Sequence, residues 1–222
     1  MKSEKRRVLL TSGPTRAYID SIRYIANTSS GALGARIAEA LVKSNIPVLH
    51  IYGIGSEKLS INDKLLYESV QVTTVSDLVK TIGITAERGD IRAVVHAMAV
   101  LDYVPEKTLE EKKQSGDDFW DIRLVKTPKV IKIIRDKMPD AYTVGFKLEV
   151  GITDKELFRR AKALKERHAL DLVIANRLEH VGSEFHEAFF IGEGTKILAT
   201  ATTKKDIAQK LTDLIAVRLL SE

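Results

Sequence analysis

The stretch TSGPTRAYIDSIRYIANTSSGALG, residues 11–34, decides how the chain reads. It follows an apolar run, Val8-Leu9-Leu10, and precedes apolar positions at helical spacing: Ala35, Ile37, Ala38, Leu41 and Val42. That pattern predicts a first strand, a long turn and a first helix. Turns between strands and helices usually span only a few residues. One this long and polar is expected to hold a ligand. Ser29-Ser30-Gly31 stands where the helix begins. Backbone N–H groups and the helix dipole converge on such a point, and Gly31 and Gly34 allow phosphate or backbone to approach closely. A plainer reading also fits: serine caps the helix and the glycines pack on a strand.

Outward from this stretch, strands and helices alternate. Strands are expected at about residues 7–12, 47–52, 67–72, 92–97, 119–126, 142–147 and 172–175. Helices are expected at about 30–44, 76–87, 128–138, 153–168 and 203–220, with Ser76, Thr127 and Thr153 as caps and Pro128 at a first helical position. Residues 187–191 and 196–200, joined across Gly192-Glu193-Gly194, read as a hairpin. Residues 98–118 are charged and aperiodic, which predicts a mobile loop. The alternation predicts an α/β fold: a Rossmann-like doubly wound parallel sheet, helices on both faces, and an appended antiparallel hairpin. No linker divides the chain, so residues 1–222 are expected to form a single domain.

The composition narrows the function classes. The chain has 222 residues, is 44% hydrophobic and has no cysteine, which excludes disulfides, thiolate metal sites and a cysteine nucleophile. No apolar run approaches the ~18 residues that span a bilayer. The charged residues 1–7 are not followed by a signal-peptide pattern. A cytoplasmic protein without membrane partners is the expectation. The net charge of +5 comes from 35 basic residues interleaved with 30 acidic ones. That suits small polyanions better than nucleic acid, which would call for a basic stripe interleaved with aromatics.

In such a fold, ligands sit at the carboxyl ends of the strands. The residues there are Gly13 and Arg16, then Ala97-Met98-Ala99 and Asp102, then Phe146, then Asn176. A dinucleotide site is disfavoured. GxGxxG is absent, and the second strand ends His50-Ile51-Tyr52 without an acidic residue for the ribose. Tyr103 and Lys107 have the spacing used by short-chain dehydrogenases, but Pro105 between them breaks the helix that spacing requires. No Walker A run or nucleophile elbow occurs. The five histidines lack ligand spacing; His180 and His186 read as surface residues and His96 as a core histidine.

The opening stretch resembles the signature of the phosphopantothenate–cysteine ligase family. The resemblance continues in order through AMAVLDY (97–103), Lys112-Lys113, KTPKVI (126–131), VGFKLE (144–149) and LDLVIAN (170–176). It implies a ligase of coenzyme A biosynthesis that joins 4′-phosphopantothenate to L-cysteine. A nucleoside triphosphate with Mg²⁺ would first activate the carboxylate as an acyl-nucleotidylate. The resemblance also implies a homodimer, and a strand beginning near residue 7 is expected of the stand-alone form. Asn27 matches the asparagine that contacts the acyl phosphate. Gly13, Arg16, Ser29, Ser30 and Gly31 would cradle phosphates. Ala97, Met98, Ala99 and Asp102 match the nucleotide-site segment, with Met98 and Leu101 departing from its alanines. Pro128, Lys129, Val130 and Ile131 would line the same pocket by backbone, Phe146 would pack on the nucleotide, and Lys112 or Lys113 would reach a phosphate. Asn176 closes the last motif, and no metal ligands are indicated. CTP is the expected nucleotide, with ATP the alternative because Phe146-Lys147-Leu148-Glu149 resembles eukaryotic members. A nicotinamide-dependent oxidoreductase and a non-catalytic interaction protein are the competing readings.

Overall fold

The computed structural model describes residues 6–181, 185–194 and 196–220; Lys5 of the basic run and Thr195 of the hairpin lie outside them. Every residue of β1 (Arg7–Ser12) after Arg7 is buried, as a strand covered by helices on both faces requires. Its neighbours are β4 (Val48–Gly53), β5 (Tyr67–Val72), β6 (Ile91–His96), β9 (Tyr142–Glu149) and β10 (Leu172–Arg177), followed by β11 (Phe185–Ile191) and β12 (Ile197–Thr203). Together they form an eight-stranded sheet in the order β12-β11-β10-β9-β6-β1-β4-β5. Pairing is parallel from β5 through β10 and antiparallel from β10 to β12. The expected doubly wound sheet with an appended hairpin is therefore present. The order reverses between β1 and β6, so the chains leaving those two strands diverge and open a crevice.

Helices α1 (Ala32–Lys43) and α5 (Lys204–Leu220) cover one face. Ile37, Leu41, Leu211 and Ile215 pack there on Val8, Leu10, Val95 and Val144. Helices α2 (Val75–Ala86), α3 (Val130–Lys137) and α4 (Asp154–Arg167) cover the other. Leu78, Ile82 and Ile134 meet Leu9, Leu49 and Val94, while Leu157 and Ala161 meet Val173 and Ala175. Alternate residues of one strand thus enter opposite cores, the consequence of a period of two.

Several boundaries differ from the sequence expectation for local reasons. The long turn after β1 is not irregular. It contains an antiparallel ribbon, β2 (Arg16–Tyr18) and β3 (Tyr24–Ala26), with Tyr18 opposite Tyr24. A second ribbon pairs β7 (Tyr103–Pro105) with β8 (Leu124–Lys126), so only the last three residues of the strand expected at 119–126 form. Tyr103 lies in β7, which removes the helix that a Tyr-x-x-x-Lys pair would need. Thr74, not Ser76, caps α2: its hydroxyl accepts from Asp77 N–H at 3.1 Å, and Asp77 accepts from Thr74 N–H at 2.9 Å. Pro128 does not open α3, which begins at Val130 after a cap at Lys129. Thr127 does not cap it, because its hydroxyl donates to Leu101 C=O at 2.6 Å. Thr153 caps α4 as expected.

Candidate active site

The crevice is built by stitching the chain after β1 to the chain after β6. Ala97 N–H donates to Thr11 C=O at 2.9 Å and Ala99 N–H to Gly13 C=O at 2.8 Å. Thr15 N–H returns the bond to Ala99 C=O at 3.2 Å. The buried Thr15 hydroxyl accepts from Leu101 N–H at 3.0 Å. Thr127 N–H then donates to Asp102 C=O at 2.9 Å. Two segments about eighty residues apart in sequence are thereby held as extensions of the parallel sheet, and the start of α3 is tied to them.

A seat of bare backbone lies beside this seam. Gly13 has φ +76° and Gly31 has φ +71°, values that side chains rarely adopt. A Cβ on Gly13 would lie 1.9 Å from Ser56 Oγ, and one on Gly31 would lie 2.9 Å from Ser56 Cβ and 3.4 Å from Gly13 Cα. Glu57 N–H donates to Ser30 C=O at 2.9 Å, closing that side. Gly31 is the cap of α1 and supplies no side-chain capping bond, and the first turn of α1 carries no acidic residue. The serine-cap reading is therefore corrected: Ser30 precedes the cap, and its hydroxyl accepts only a long 3.4 Å bond from Ala32 N–H. Ser29 N–H donates to Asn27 C=O at 2.9 Å.

Asn27 is exposed, and its amide donates to Ala99 C=O at 3.2 Å and Val100 C=O at 3.3 Å. Arg16 lies with its guanidinium 4.2 Å from the Tyr24 ring centre, and a Cβ on Gly55 would lie 2.7 Å from one of its terminal nitrogens. Its Nε is buried without a hydrogen-bond partner. Arg16 forms no ion pair among the described residues. Cation–π stacking and a glycine wall hold the charge in place without neutralising it.

Asp102 meets Lys129 at 2.5 Å, both side chains about half exposed. Pro128 is exposed beside them. Met98, Val130 and Ile131 turn their side chains into the cores, so only their backbone can line a pocket. A cleft of about 560 Å³ runs between the ribbons, lined by Arg16, Tyr18, Val75, Val104, Pro105 and Pro128 among others. A second hollow of about 440 Å³ lies by Gly89, Arg92 and Met138, at the amino ends of β6 and β9, away from the edge where such folds bind ligands.

Phe146 is half-buried and packs on the core beneath α1 and α5. Asn176 is buried, its side-chain nitrogen 3.1 Å from His186 Nε2. His186 is therefore not a surface residue: it is 5% exposed, and burial pushes its imidazole down to about 4. His96 bonds Thr11 Oγ1 through Nδ1 at 2.6 Å, and burial lowers it to about 4 as well. Lys113 pairs with Asp117, and its backbone docks on the turn of the first ribbon, while Lys112 is exposed. The loop expected to be mobile is thus bonded along its length: Leu109 N–H donates to Ile19 C=O at 3.0 Å and Thr108 Oγ1 to Tyr18 C=O at 2.9 Å. Thr15, Ser56 and Thr127 are the residues sequence reading missed. Their signal was slight, small polar residues flanking glycine or proline.

Among the described residues no three histidines, aspartates or glutamates gather as a metal site. Asp102 is the carboxylate of the crevice, and Lys129 engages it.

No helix among the described residues is long and apolar enough to cross a membrane. Against known proteins, the profile described as DNA/pantothenate metabolism flavoprotein C-terminal domain matches residues 3–219. The coenzyme A biosynthesis bifunctional protein CoaBC of Thermococcus kodakarensis is 34% identical over 212 residues, covering 96% of this chain and 51% of that protein. The chain thus spans about half the length of the curated relatives it matches. The crystal structure of a DNA/pantothenate metabolism flavoprotein from Streptococcus pneumoniae superposes with a TM-score of 0.88 at 29% identity, covering 96% of this chain and 99% of that one. A Cab2 mutant in complex with phosphopantothenate-cysteine shares the fold, with a TM-score of 0.73 at 18% identity over 97% of this chain and 89% of that one. The motifs, the strand order and the profile agree, and the chain belongs to the DNA/pantothenate metabolism flavoprotein C-terminal domain family.

Proposed function

We propose that this chain joins 4′-phosphopantothenate to L-cysteine through an acyl-nucleotidylate, with CTP as the first-choice nucleotide and ATP as the alternative. The observation that carries the reading is the glycine seat at Gly13 and Gly31 beside the unpaired Arg16 charge and the exposed Asn27, all at the β1–β6 reversal. The coenzyme A biosynthesis named in relatives supports it. A carboxylate oxygen attacks the α-phosphorus and pyrophosphate leaves. The cysteine amine then attacks the acyl carbon and loses a proton, and the nucleoside monophosphate leaves.

In this reading the seat and the start of α1 hold phosphate oxygens by backbone N–H groups, and Arg16 adds a fixed positive charge. Asn27 orients the acyl phosphate, and Asp102 and Lys129 flank the nucleotide. A bound Mg²⁺ would supply charge neutralisation for the triphosphate beside Arg16 and Lys129. The rate comes mainly from positioning and from stabilising developing charge. A homodimer working in the cytoplasm belongs to the same proposal.

The nicotinamide reading is not favoured, since β4 ends without an acidic residue and no GxGxxG follows β1. The test is pyrophosphate release with CTP and with ATP, each with Mg²⁺, phosphopantothenate and cysteine. Release that requires phosphopantothenate supports the ligase and ranks the nucleotides. Release that ignores both acceptors, or none with either nucleotide, refutes it. A fluorescence change on tight NAD(P)H binding would favour the oxidoreductase.

A further inference from the structure

We infer that Asp20 is a positioning residue, which with Arg23 clamps the peptide of Lys113 and so fixes where the neighbouring Lys112 presents its charge to the triphosphate. The inference rests on the ligase reading. Asp20 has no exposed surface. Its Oδ1 accepts from Ile22 N–H at 2.9 Å and Arg23 N–H at 2.7 Å, shaping the turn between β2 and β3. Its Oδ2 faces the other way and accepts from Lys113 N–H at 3.2 Å, ninety-three positions along the chain. Arg23 pairs with the same Oδ2 at 3.3 Å and donates to Lys113 C=O at 3.0 Å. Both hydrogen-bonding groups of one residue's backbone are therefore gripped by a carboxylate and a guanidinium that also grip each other. Trp120, 5.4 Å from the Arg23 guanidinium, backs the clamp.

The turn needs only Oδ1, so a serine or asparagine cap would suffice there. A buried carboxylate is costly unless its remaining lone pairs are used, and here they reach a distant loop. That loop carries two adjacent lysines. Lys113 is neutralised by Asp117. Lys112 is exposed, and no ion pair is recorded for it among the described residues. Gripping the backbone of Lys113 holds the segment that carries Lys112 against the ribbon that leads through β3 into Asn27.

Asp20→Asn tests this with little change of shape. Oδ1 can still serve the turn, while the new amide sets a donor against Lys113 N–H and Arg23. Hydrogen exchange of the Lys113 amide, and tryptic cleavage after Lys112 and Lys113, should accelerate at least about tenfold as that bond is lost. The KM for the nucleoside triphosphate should rise about tenfold, as for loss of one charge-assisted contact, with KM for cysteine unchanged. Lys112→Ala should raise the same KM, and the double variant Asp20→Asn/Lys112→Ala should be no worse than Lys112→Ala alone. Additive effects, an unchanged KM in Lys112→Ala, or unaltered exchange at Lys113 in Asp20→Asn would each overturn the inference. Should Asp20→Asn fold poorly, Arg23→Gln, which removes the other jaw, is read by the same exchange and KM measurements. An inactive parent enzyme would instead refute the ligase reading, with the exchange result still deciding whether the clamp exists.

Discussion

Replacing Gly13 by alanine strikes the proposed phosphate seat directly, and its cost can be worked from the structure. The φ of +76° disfavours any residue with a Cβ by roughly 1–2 kcal/mol. The new methyl would also stand 1.9 Å from Ser56 Oγ, 3.2 Å from Ser56 Cβ and 3.3 Å from Gly53 N. The Ser56 hydroxyl can turn aside only by giving up its 2.6 Å bond to Gly53 C=O, and the Gly53 backbone belongs to β4 and cannot yield. Overpacking of this kind costs roughly 1–3 kcal/mol. Together the terms come to about 3 kcal/mol, which lowers Tm by roughly 6–12 °C in a chain of this size. Calorimetric melting and titration with a non-hydrolysable nucleotide read both consequences, since displacing Ser56 also disturbs the backbone proposed to hold phosphate. Placing Gly13→Ala in a Ser56→Gly background should recover the overpacking part of the stability, leaving the conformational part. A shift below about 2 °C, the range of an ordinary surface change, with nucleotide binding intact would refute the reasoning. So would a Ser56→Gly background that recovers nothing.

Other perturbations follow from the same geometry. Asn27→Ala removes the bonds to Ala99 and Val100, and Asn27→Asp sets a carboxylate against the same carbonyls; turnover should fall in the first by roughly 10²-fold and further in the second, with nucleotide binding measured separately to exclude misfolding. Lys129→Ala breaks a half-exposed pair with Asp102, so unfolding free energy should change by at most about 1 kcal/mol while nucleotide affinity shifts; a large stability loss with unchanged affinity would contradict the site assignment. Burial holds His50 and His186 near 4 instead of 6.5. The unfolded chain then binds more protons between those values, so stability is complete above pH 6.5 and declines toward pH 4, and His50→Leu should flatten that decline by about one proton in denaturant titrations. Asp20 acts in the same direction at lower pH. Burial alone would raise its pKa, but N–H groups of Ile22, Arg23 and Lys113 and the Arg23 guanidinium outweigh it and hold it below 3.8. Its stabilisation is present above pH 3.8 and lost as the pH falls through the lowered value, so the parent and Asp20→Asn should converge in strong acid.

The chain by itself determined the architecture. Val8-Leu9-Leu10, the helical spacing from Ala35 to Val42, and caps such as Thr153 are local signals, because apolar periodicity and capping act within a few residues. The need for glycine at positions 13 and 31 was legible for the same reason. What only the tertiary structure decided were the contacts between distant segments. Whether Thr127 caps a helix or bonds Leu101, whether Met98 faces a ligand or the core, and whether His186 is exposed or sits on Asn176 all turn on a partner far along the chain. Hydrogen bonds have no sequence range: Ala99 finds Gly13, and Asp20 finds Lys113, only once the sheet has set β1 beside β6. The opening stretch announces a tight turn through its glycines, and the fold completes it by bringing Ser56 to Gly13 and Gly31, Ala99 to Thr15, and Lys113 to Asp20.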